Sequence, residues 1–533
     1  MSSAIARTWP WVAAALSGAL TAFCFAPFNQ GWLAWVTLTP LICAVWFGRS
    51  RPFALGYVAG VVFFTTTFYW LGSLATLYVN PWLRALPLVL SLYMGLYFAF
   101  WAWFLGAVLV PRATGADFLR SRRNLAIGAL GACAWVAQEW VRGWMFSGFG
   151  WNTLGVALHA DLPMIQIVDI TGVAGLSWLT AFCNLMAVIV VRRLIAEFGP
   201  VFLKRIRWEF SATMSLVVLV FGYGTRALLH QPAEATVPLR VVALQPNIPQ
   251  IEKYDPEHED DVFHTLETLT GLAAATHAPQ LILWPESSTP RGMFADDVNH
   301  DFVLSQAERG DFGLLLGTVD FDAESGDDYN IAALLTARGH EQQFYRKMHL
   351  VPFGEYLPLR PVFAPFLGQL VPADFAPGRD YTLLELKTPP IRLAALVCFE
   401  DTLDELTRQF ALRGANVLVN ITNDGWFLRS AGAEQHLANS IFRAVENRRP
   451  LIRCTNTGMT CSVSRTGHVD PWLKPFQQGF AARELAVPQH PAATFFTRHG
   501  DWISCVSAAI VALQTAAGVW RARRRVRVEI PAQ

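Results

Sequence analysis

Apolar residues fall into two regimes along this 533-residue chain. Through the first part they run almost unbroken near residues 9–28, 31–47, 53–74, 85–110, 124–144, 165–191 and 211–229, and they do so once more at 502–520. Each run approaches the roughly 20 residues that a helix needs to cross a bilayer. The pattern therefore predicts a polytopic α-helical membrane bundle of about eight spans. Between residues 238 and 490 the runs shorten to strand length. Strands are expected at 239–245, at the run leading into Glu286, and at 313–319, 329–336, 392–397, 416–421 and 451–455; helices are expected at 256–276, 297–308, 403–413 and 432–448. That alternation reads as a layered α/β domain, and no internal repeat is visible in the sequence. The expected division is 1–235 for the first helices, 236–495 for the layered domain and 496–533 for a last span and its tail.

Charge sharpens this division. Only nine of the 41 Asp and Glu residues lie outside 238–490, which marks that stretch as water-facing. A chain that is 53% hydrophobic and 16% charged, with 20 Trp and 37 Phe, is too apolar for a soluble enzyme of this size. The net charge of +1 only averages the two regimes. Eight spans put both termini on one side. Arg7, Arg49, Arg51, Arg112, Arg120, Arg122, Arg123, Arg192, Arg193, Lys204, Arg205, Arg207 and the tail Arg521, Arg523, Arg524, Arg525 and Arg527 share that side, and the opposite short loops carry little beyond Arg84 and Arg142. The positive-inside rule makes it cytoplasmic and places the layered domain outside. A nucleic-acid role for the arginine-rich tail is the weaker reading, because the tail directly follows a span. Arg7 before an apolar run resembles a signal peptide, but no cleavage-like end follows, so a retained first helix is expected.

Cysteines make no disulfide framework. Cys24, Cys43, Cys133, Cys183 and Cys505 lie in apolar runs, where a thiol behaves as a small hydrophobe. Cys398, Cys454 and Cys461 lie in the polar part; Cys454 and Cys461 could pair in an oxidising compartment, with core packing the preferred reading.

Three segments carry candidate chemistry: Trp284-Pro285-Glu286-Ser287, Tyr345-Arg346-Lys347 followed by Phe353-Gly354-Glu355, and Val397-Cys398-Phe399-Glu400-Asp401. Glu286 and Cys398 each end an apolar run, so a sheet can gather them with Lys347 into one pocket as a thiol nucleophile, its base and a cation for an oxyanion. Singly, each residue has a blander reading: a strand-end acid, an exposed lysine, a buried thiol. His349 and His436 are expected to be structural, since no cluster with metal-ligand spacing accompanies them. No phosphate loop or nucleotide fingerprint appears, and no cofactor or metal is expected.

In their order and surroundings Glu286, Lys347 and Cys398 resemble the Glu-Lys-Cys triad of the nitrilase, or carbon–nitrogen hydrolase, superfamily, over about residues 238–490. Asn420-Ile421-Thr422-Asn423-Asp424-Gly425-Trp426-Phe427 and Arg443-Ala444-Val445-Glu446-Asn447 look similar to its signatures as well. The whole chain resembles the membrane-bound branch of that superfamily, the apolipoprotein N-acyltransferases. The spans on both sides of the layered domain carry that likeness, with Leu244-Gln245-Pro246-Asn247-Ile248-Pro249-Gln250 and Val351-Pro352-Phe353-Gly354-Glu355-Tyr356-Leu357-Pro358.

The resemblance implies a nitrilase-like αββα sandwich on the outer face of a bacterial inner membrane. It also implies an acyl transfer from a phospholipid donor to a diacylglyceryl apolipoprotein acceptor. It gives Cys398 the role of nucleophile, Glu286 that of general base and Lys347 that of oxyanion partner. Glu355 would orient Lys347 or assist proton transfer and Glu400 would support the nucleophile segment, with a plain ion-pair role open for both. Two positions depart from the family's habit: Phe399 stands where Tyr is common, and Tyr254, a residue that would gate entry, where Trp is common.

Between Glu355 and Gly378 the chain is apolar yet rich in proline, which argues against a regular helix there. It is expected to form a lid whose Phe363, Phe366, Leu367 and Leu370 touch lipid or an acyl chain; a core-covering loop is the plainer reading. A membrane-tethered amidase hydrolysing a C–N bond would use the same triad. A catalytically dead scaffold is disfavoured by the intact Glu286, Lys347 and Cys398.

Overall fold

Long apolar runs satisfy their backbone internally by coiling, and all eight regions are helical. The computed structural model describes residues 3–528 apart from 49–50, 110–119, 197–206, 232–233, 295, 369–370 and 372. Helices cover Ser3–Phe23, Thr39–Phe47, Pro52–Thr67, Leu86–Trp103, Ser121–Trp144, Val168–Ala196, Arg207–Leu229 and Trp502–Val528. Among the described residues, three segments are long and apolar enough to cross a membrane: Pro81–Val108, Val168–Ile195 and Trp208–Leu229. Pro52–Thr67 joined to Tyr69–Leu77, across a bend of 53°, makes a fourth if the two count as one span. The run at 31–47 breaks into a short turn at Gly31–Trp35 and a nine-residue helix, Thr39–Phe47, too short to cross alone.

The chain divides into two units. Met1–Gly72, Arg84–His230 and Asp501–Gln533 form one, and Ser73–Leu83 with Gln231–Gly500 form the other. In the helical unit, small residues let backbones touch, the usual device where lipid supplies no hydrophobic drive between helices. A Cβ on Gly56 would collide with the Phe98 carbonyl oxygen, and one on Gly60 would meet Gly95 Cα at 2.8 Å. Some of its buried polar groups pair across turns and helices: Glu139 accepts from Trp135 Nε1 (2.9 Å) and Leu154 N (2.7 Å), and Arg193 pairs with Glu209.

The other unit is built on two six-stranded sheets. The first contains β1 (Thr236–Gln245), β2 (Leu281–Leu283), β3 (Gly313–Asp322), β4 (Asp327–Thr336) and β5 (Glu341–Arg346). The second contains β6 (Leu384–Lys387), β7 (Pro390–Val397), β8 (Val417–Thr422), β9 (Leu451–Thr455), β10 (Cys461–Val463) and β11 (Val469–Pro471); the last strand, β12 (Gly479–Pro488), returns to the first sheet. Strand orders are β12-β1-β2-β3-β4-β5 and β6-β7-β8-β9-β10-β11. Read in those orders, both sheets begin with an antiparallel pair, continue with two parallel pairs and end with two antiparallel pairs. The chain thus contains a repeat in connectivity that its sequence does not display.

β2, β7, β8 and β9 are buried along their whole length or nearly so, as parallel strands covered on both faces must be. The first sheet packs Val242, Leu244, Ile282 and Trp284 under Val262, Leu266 and Leu269 of the helix Glu259–His277 and Val303 of the helix Asp297–Ala307. Helices Asp404–Leu412 and Gly432–Asn447 lie against the second sheet. Between the sheets, Cys454 Sγ on β9 reaches the Leu244 and Leu283 carbonyls at 3.2 and 3.4 Å. Cys454 and Cys461 are separate buried thiols, as core packing requires. The layers are therefore helix, sheet, sheet, helix.

Candidate active site

The parallel strands all run out at one edge of the sandwich, where their chains must turn. β2 ends before Trp284-Pro285-Glu286, and that turn settles against β3 because Gly317 has no side chain: a Cβ there would sit 2.6 Å from Glu286 Cα. β7 ends at Val397, and Cys398 then takes a left-handed backbone, φ 54°, at the start of the turn Cys398–Thr402. A residue with a Cβ occupies that region at a cost of about 1–3 kcal/mol and does so mainly at functional sites. β5 ends at Arg346, directly before Lys347. The three motifs are thus delivered to one place by strands of both sheets.

Lys347 is 1% exposed, and its ammonium lies 2.8 Å from Glu355 and 3.7 Å from Glu286 Oε1. Burial alone would make it a weaker base, but Glu355 and then Glu286 outweigh that and hold its pKa above the ordinary lysine value. Asn330, on β4, ties the two carboxylates together: its Nδ2 donates to Glu286 Oε1 at 3.0 Å and to Glu355 Oε1 at 2.8 Å. Glu286 Oε2 accepts from the Asn423 backbone N–H at 3.1 Å, a donor supplied by the turn after β8. Glu355 also accepts from Val351 N at 2.8 Å, which folds its own loop back onto Lys347.

Cys398, like Glu355, is partly exposed as a residue, with its sulfur turned inward. Burial, then the Glu286 carboxylate, push its thiol well above the usual range, while Lys347 and the neighbouring Thr422 hydroxyl act the other way. The resting sulfur is therefore a thiol beside a carboxylate, the arrangement in which a base removes the proton as the sulfur attacks.

Glu400 is wholly buried and clasps the two sheets. It accepts from Val397 N (2.9 Å) on the nucleophile turn, and from Tyr345 Oη (2.9 Å), Met348 N (2.8 Å) and His349 N (3.1 Å) around Lys347. Burial raises its pKa, with Lys347 and these donors opposing. Phe399 stacks on His349 with ring centroids 5.9 Å apart.

Family models match the chain in two blocks: the apolipoprotein N-acyltransferase N-terminal domain over residues 17–186 and the carbon–nitrogen hydrolase domain over residues 240–490. The chain is 34% identical over 517 residues to the apolipoprotein N-acyltransferase of Geobacter metallireducens, with 94% of each chain covered. The chain belongs to the apolipoprotein N-acyltransferase family. It is also 31% identical over 496 residues to the corresponding protein of Methylococcus capsulatus, with 91% of each covered. Among solved structures it is similar to Saccharomyces cerevisiae Nit3, a member of branch 10 of the nitrilase superfamily. That likeness has 15% identity and a TM-score of 0.37, and it covers 47% of this chain and 90% of that one.

The other residues expected at the site differ in exposure. Tyr254 is half exposed; its hydroxyl end turns inward to Ser287, and burial there pushes its pKa up to about 12. Beside it Tyr78, from the segment Ser73–Leu83, stacks on Trp426 at 6.2 Å. The proline-rich stretch does form a helix, Arg360–Leu367, contrary to the expectation from its prolines. Pro361 sits in the first turn, where an N–H has no partner to lose, and Pro365 removes only one bond from eight residues. Phe363 is partly buried, with its ring 5.8 Å from that of Phe353; Phe353, Leu359 and Val362 are exposed. Leu370 and the side chains of Phe366 and Leu367 lie outside the described residues.

Sequence reasoning missed Asn330, Lys253 and the surroundings of His436. Lys253, 2% exposed, donates to the Glu286 carbonyl at 2.9 Å. His436 is clamped between Asp401 and Asp424, 2.9 Å from each. Their partners lie 33, 35 and 12 residues away, beyond any local pattern.

Proposed function

We propose that this chain N-acylates the α-amine of the N-terminal S-diacylglyceryl-cysteine of apolipoproteins, taking the sn-1 acyl chain of a phospholipid such as phosphatidylethanolamine. The observation that carries this reading is that the likeness to apolipoprotein N-acyltransferases runs through both the helical and the hydrolase blocks. A membrane-tethered amidase would call only for the second.

In this account Cys398 attacks the ester carbonyl while Glu286 takes the thiol proton. Lys347, fixed as a cation by Glu355 and Glu286, stabilises the developing oxyanion in a site that excludes water. Glu286 then gives its proton to the departing lysophospholipid oxygen, leaving a thioester. The acceptor amine attacks that thioester, and the amide forms as the thiol is restored. Glu355 orients Lys347, and Glu400 keeps the nucleophile turn in register with Lys347. Tyr254 and the helix Arg360–Leu367, with Phe363, Phe366, Leu367 and Leu370, form the entrance for acyl chains. The bundle crosses the bacterial inner membrane about eight times, with both termini cytoplasmic and residues 236–495 in the periplasm, by the positive-inside rule.

The test is purified protein with phosphatidylethanolamine and a synthetic diacylglyceryl lipopeptide. The expected product is a lipopeptide heavier by one acyl chain in amide linkage; amide hydrolysis without acyl transfer would favour the amidase instead.

A further inference from the structure

β7 and β8 run parallel, and the register that pairs Val397 with Ile421 sets Cys398 and Thr422 side by side where the two strands end. Asn420, two residues earlier on β8, pins the nucleophile turn: its Nδ2 donates to the Leu396 carbonyl at 3.2 Å and to the Cys398 carbonyl at 2.9 Å. Asn423, one residue later, gives its N–H to Glu286 Oε2 at 3.1 Å. Thr422 thus stands between the residue that holds the sulfur's backbone and the one that holds its base. Its own backbone is taken up by β9, where it pairs with Thr455. Its side chain is buried, and among the described residues its hydroxyl makes no hydrogen bond in the resting site. The Thr455 hydroxyl, by contrast, is bonded to that of Thr460 at 2.8 Å. A buried hydroxyl left without a partner is costly and uncommon. That of Thr422 faces the Cys398 thiol and, like Lys347, favours its anion.

We propose that Thr422 is a catalytic residue whose hydroxyl donates a hydrogen bond to the Cys398 sulfur while that sulfur carries negative charge, first in attack and again in departure. This rests on the acyl-transfer reading above. In loading, Glu286 takes the thiol proton, the S–H electron pair forms the C–S bond, and the ester C–O bond breaks. In discharge, the acceptor amine forms the C–N bond and the C–S electron pair returns to sulfur, until a proton passed on by Glu286 reaches it. The hydroxyl keeps its own proton throughout and only turns about its Cβ–Oγ1 bond. A thiol or thioester sulfur is a weak acceptor and an anionic one a strong acceptor. The contact therefore strengthens as charge builds, which is the kind of contact that speeds a reaction. Departure should gain more than attack, because a stabilised thiolate leaves faster but is also a poorer nucleophile.

The test compares full-length wild type, Thr422→Val and Thr422→Ser. Iodoacetamide alkylation of Cys398 is followed between about pH 6 and about pH 10. The charged groups around the sulfur are Glu286 after β2, Lys347 after β5, Glu355 on the loop beyond it, Lys253 after β1 and Arg453 on β9, and none of them changes in the variants. Thr422→Val is expected to reach a given alkylation rate at least about half a pH unit higher than wild type. Loaded with phosphatidylethanolamine and chased with a diacylglyceryl lipopeptide, it should take the Cys398 adduct about threefold more slowly and release it about tenfold more slowly, read by intact mass. Thr422→Ser, which keeps the hydroxyl, should restore all three readings to within about twofold. Thr422→Val should also melt no lower than wild type, since the hydroxyl it removes has no other partner. A wild-type alkylation profile and wild-type release in Thr422→Val, or a Thr422→Ser variant that is no better than Thr422→Val, would each overturn the assignment. So would a lowered melting point with an unmoved alkylation profile, which would mark Thr422 as a packing residue. A wild-type protein that takes no adduct overturns the acyl-enzyme reading itself, and the alkylation profiles then still decide whether Thr422 serves the sulfur.

Discussion

The two sheets of the catalytic unit share one pattern of connections but carry different kinds of chemistry. The first supplies the charges of Glu286 after β2 and Lys347 after β5, with the neutral Asn330 amide of β4 donating to the carboxylates. The second supplies the sulfur, on the left-handed Cys398 after β7, and the backbone donor of Asn423 after β8. Neither sheet holds all of the proposed site alone. Among the bonds that join them, those at the site run from Asn423 N to Glu286 and from Tyr345, Met348 and His349 to Glu400. The lesson is that the placement of Cys398 beside Glu286, the proposed nucleophile and base, depends on how the sheets are fastened together as much as on either motif.

The largest effect should come from emptying the charged side. Lys347→Met is expected to lower acyl transfer by about 10²–10³-fold, as for a lost oxyanion donor, measured by lipopeptide acylation; a loss of only a few-fold would demote Lys347 to a structural partner of Glu355. Next comes the fastening. Glu400→Gln turns an acceptor of four donors into a group that can accept on one oxygen only, so it should cost about 1–3 kcal/mol of stability in thermal unfolding and slow loading of Cys398 with it. Unchanged loading would mean that the sheets hold register without this clasp.

A third prediction probes the sulfur side. Because burial and Glu286 hold the Cys398 thiol above its ordinary value of 9.0, alkylation of Cys398 by iodoacetamide should keep rising with pH past about 9. A rate already flat at neutral pH would mean a resting thiolate and a different role for Glu286. The smallest effect is expected from Tyr345→Phe, which removes one of the four donors to Glu400. It should cost about 0.5–1.5 kcal/mol and leave turnover within about threefold.

The legibility of the sequence follows the same division. β2 and β7 are covered on both faces and read as short, unbroken apolar runs, so Glu286 and Cys398 stood visibly at strand ends. β5 is an edge strand, Glu341-Gln342-Gln343-Phe344-Tyr345-Arg346, exposed enough to be written in polar residues. Lys347 was therefore recognisable by its motif and not by its strand. The bridging Asn330, the clamped His436 and the carbonyl-bound Lys253 gain their meaning from contacts across the sheets, which no local spacing encodes. The helical runs were legible as helices. The break after Thr67 and the nine-residue length of Thr39–Phe47 were not read, although Thr65-Thr66-Thr67 and Pro40 mark them in the sequence.

The central claim is that the two sheets together make Cys398 an acyl carrier. Its most direct test is the intact mass of the purified full-length protein after incubation with phosphatidylethanolamine alone, beside Cys398→Ala. The account predicts one fatty-acyl adduct on the wild type, none on the variant, and loss of the adduct when a diacylglyceryl lipopeptide is added. A folded wild-type protein that acquires no adduct, or a Cys398→Ala variant that acquires the same one, would contradict it.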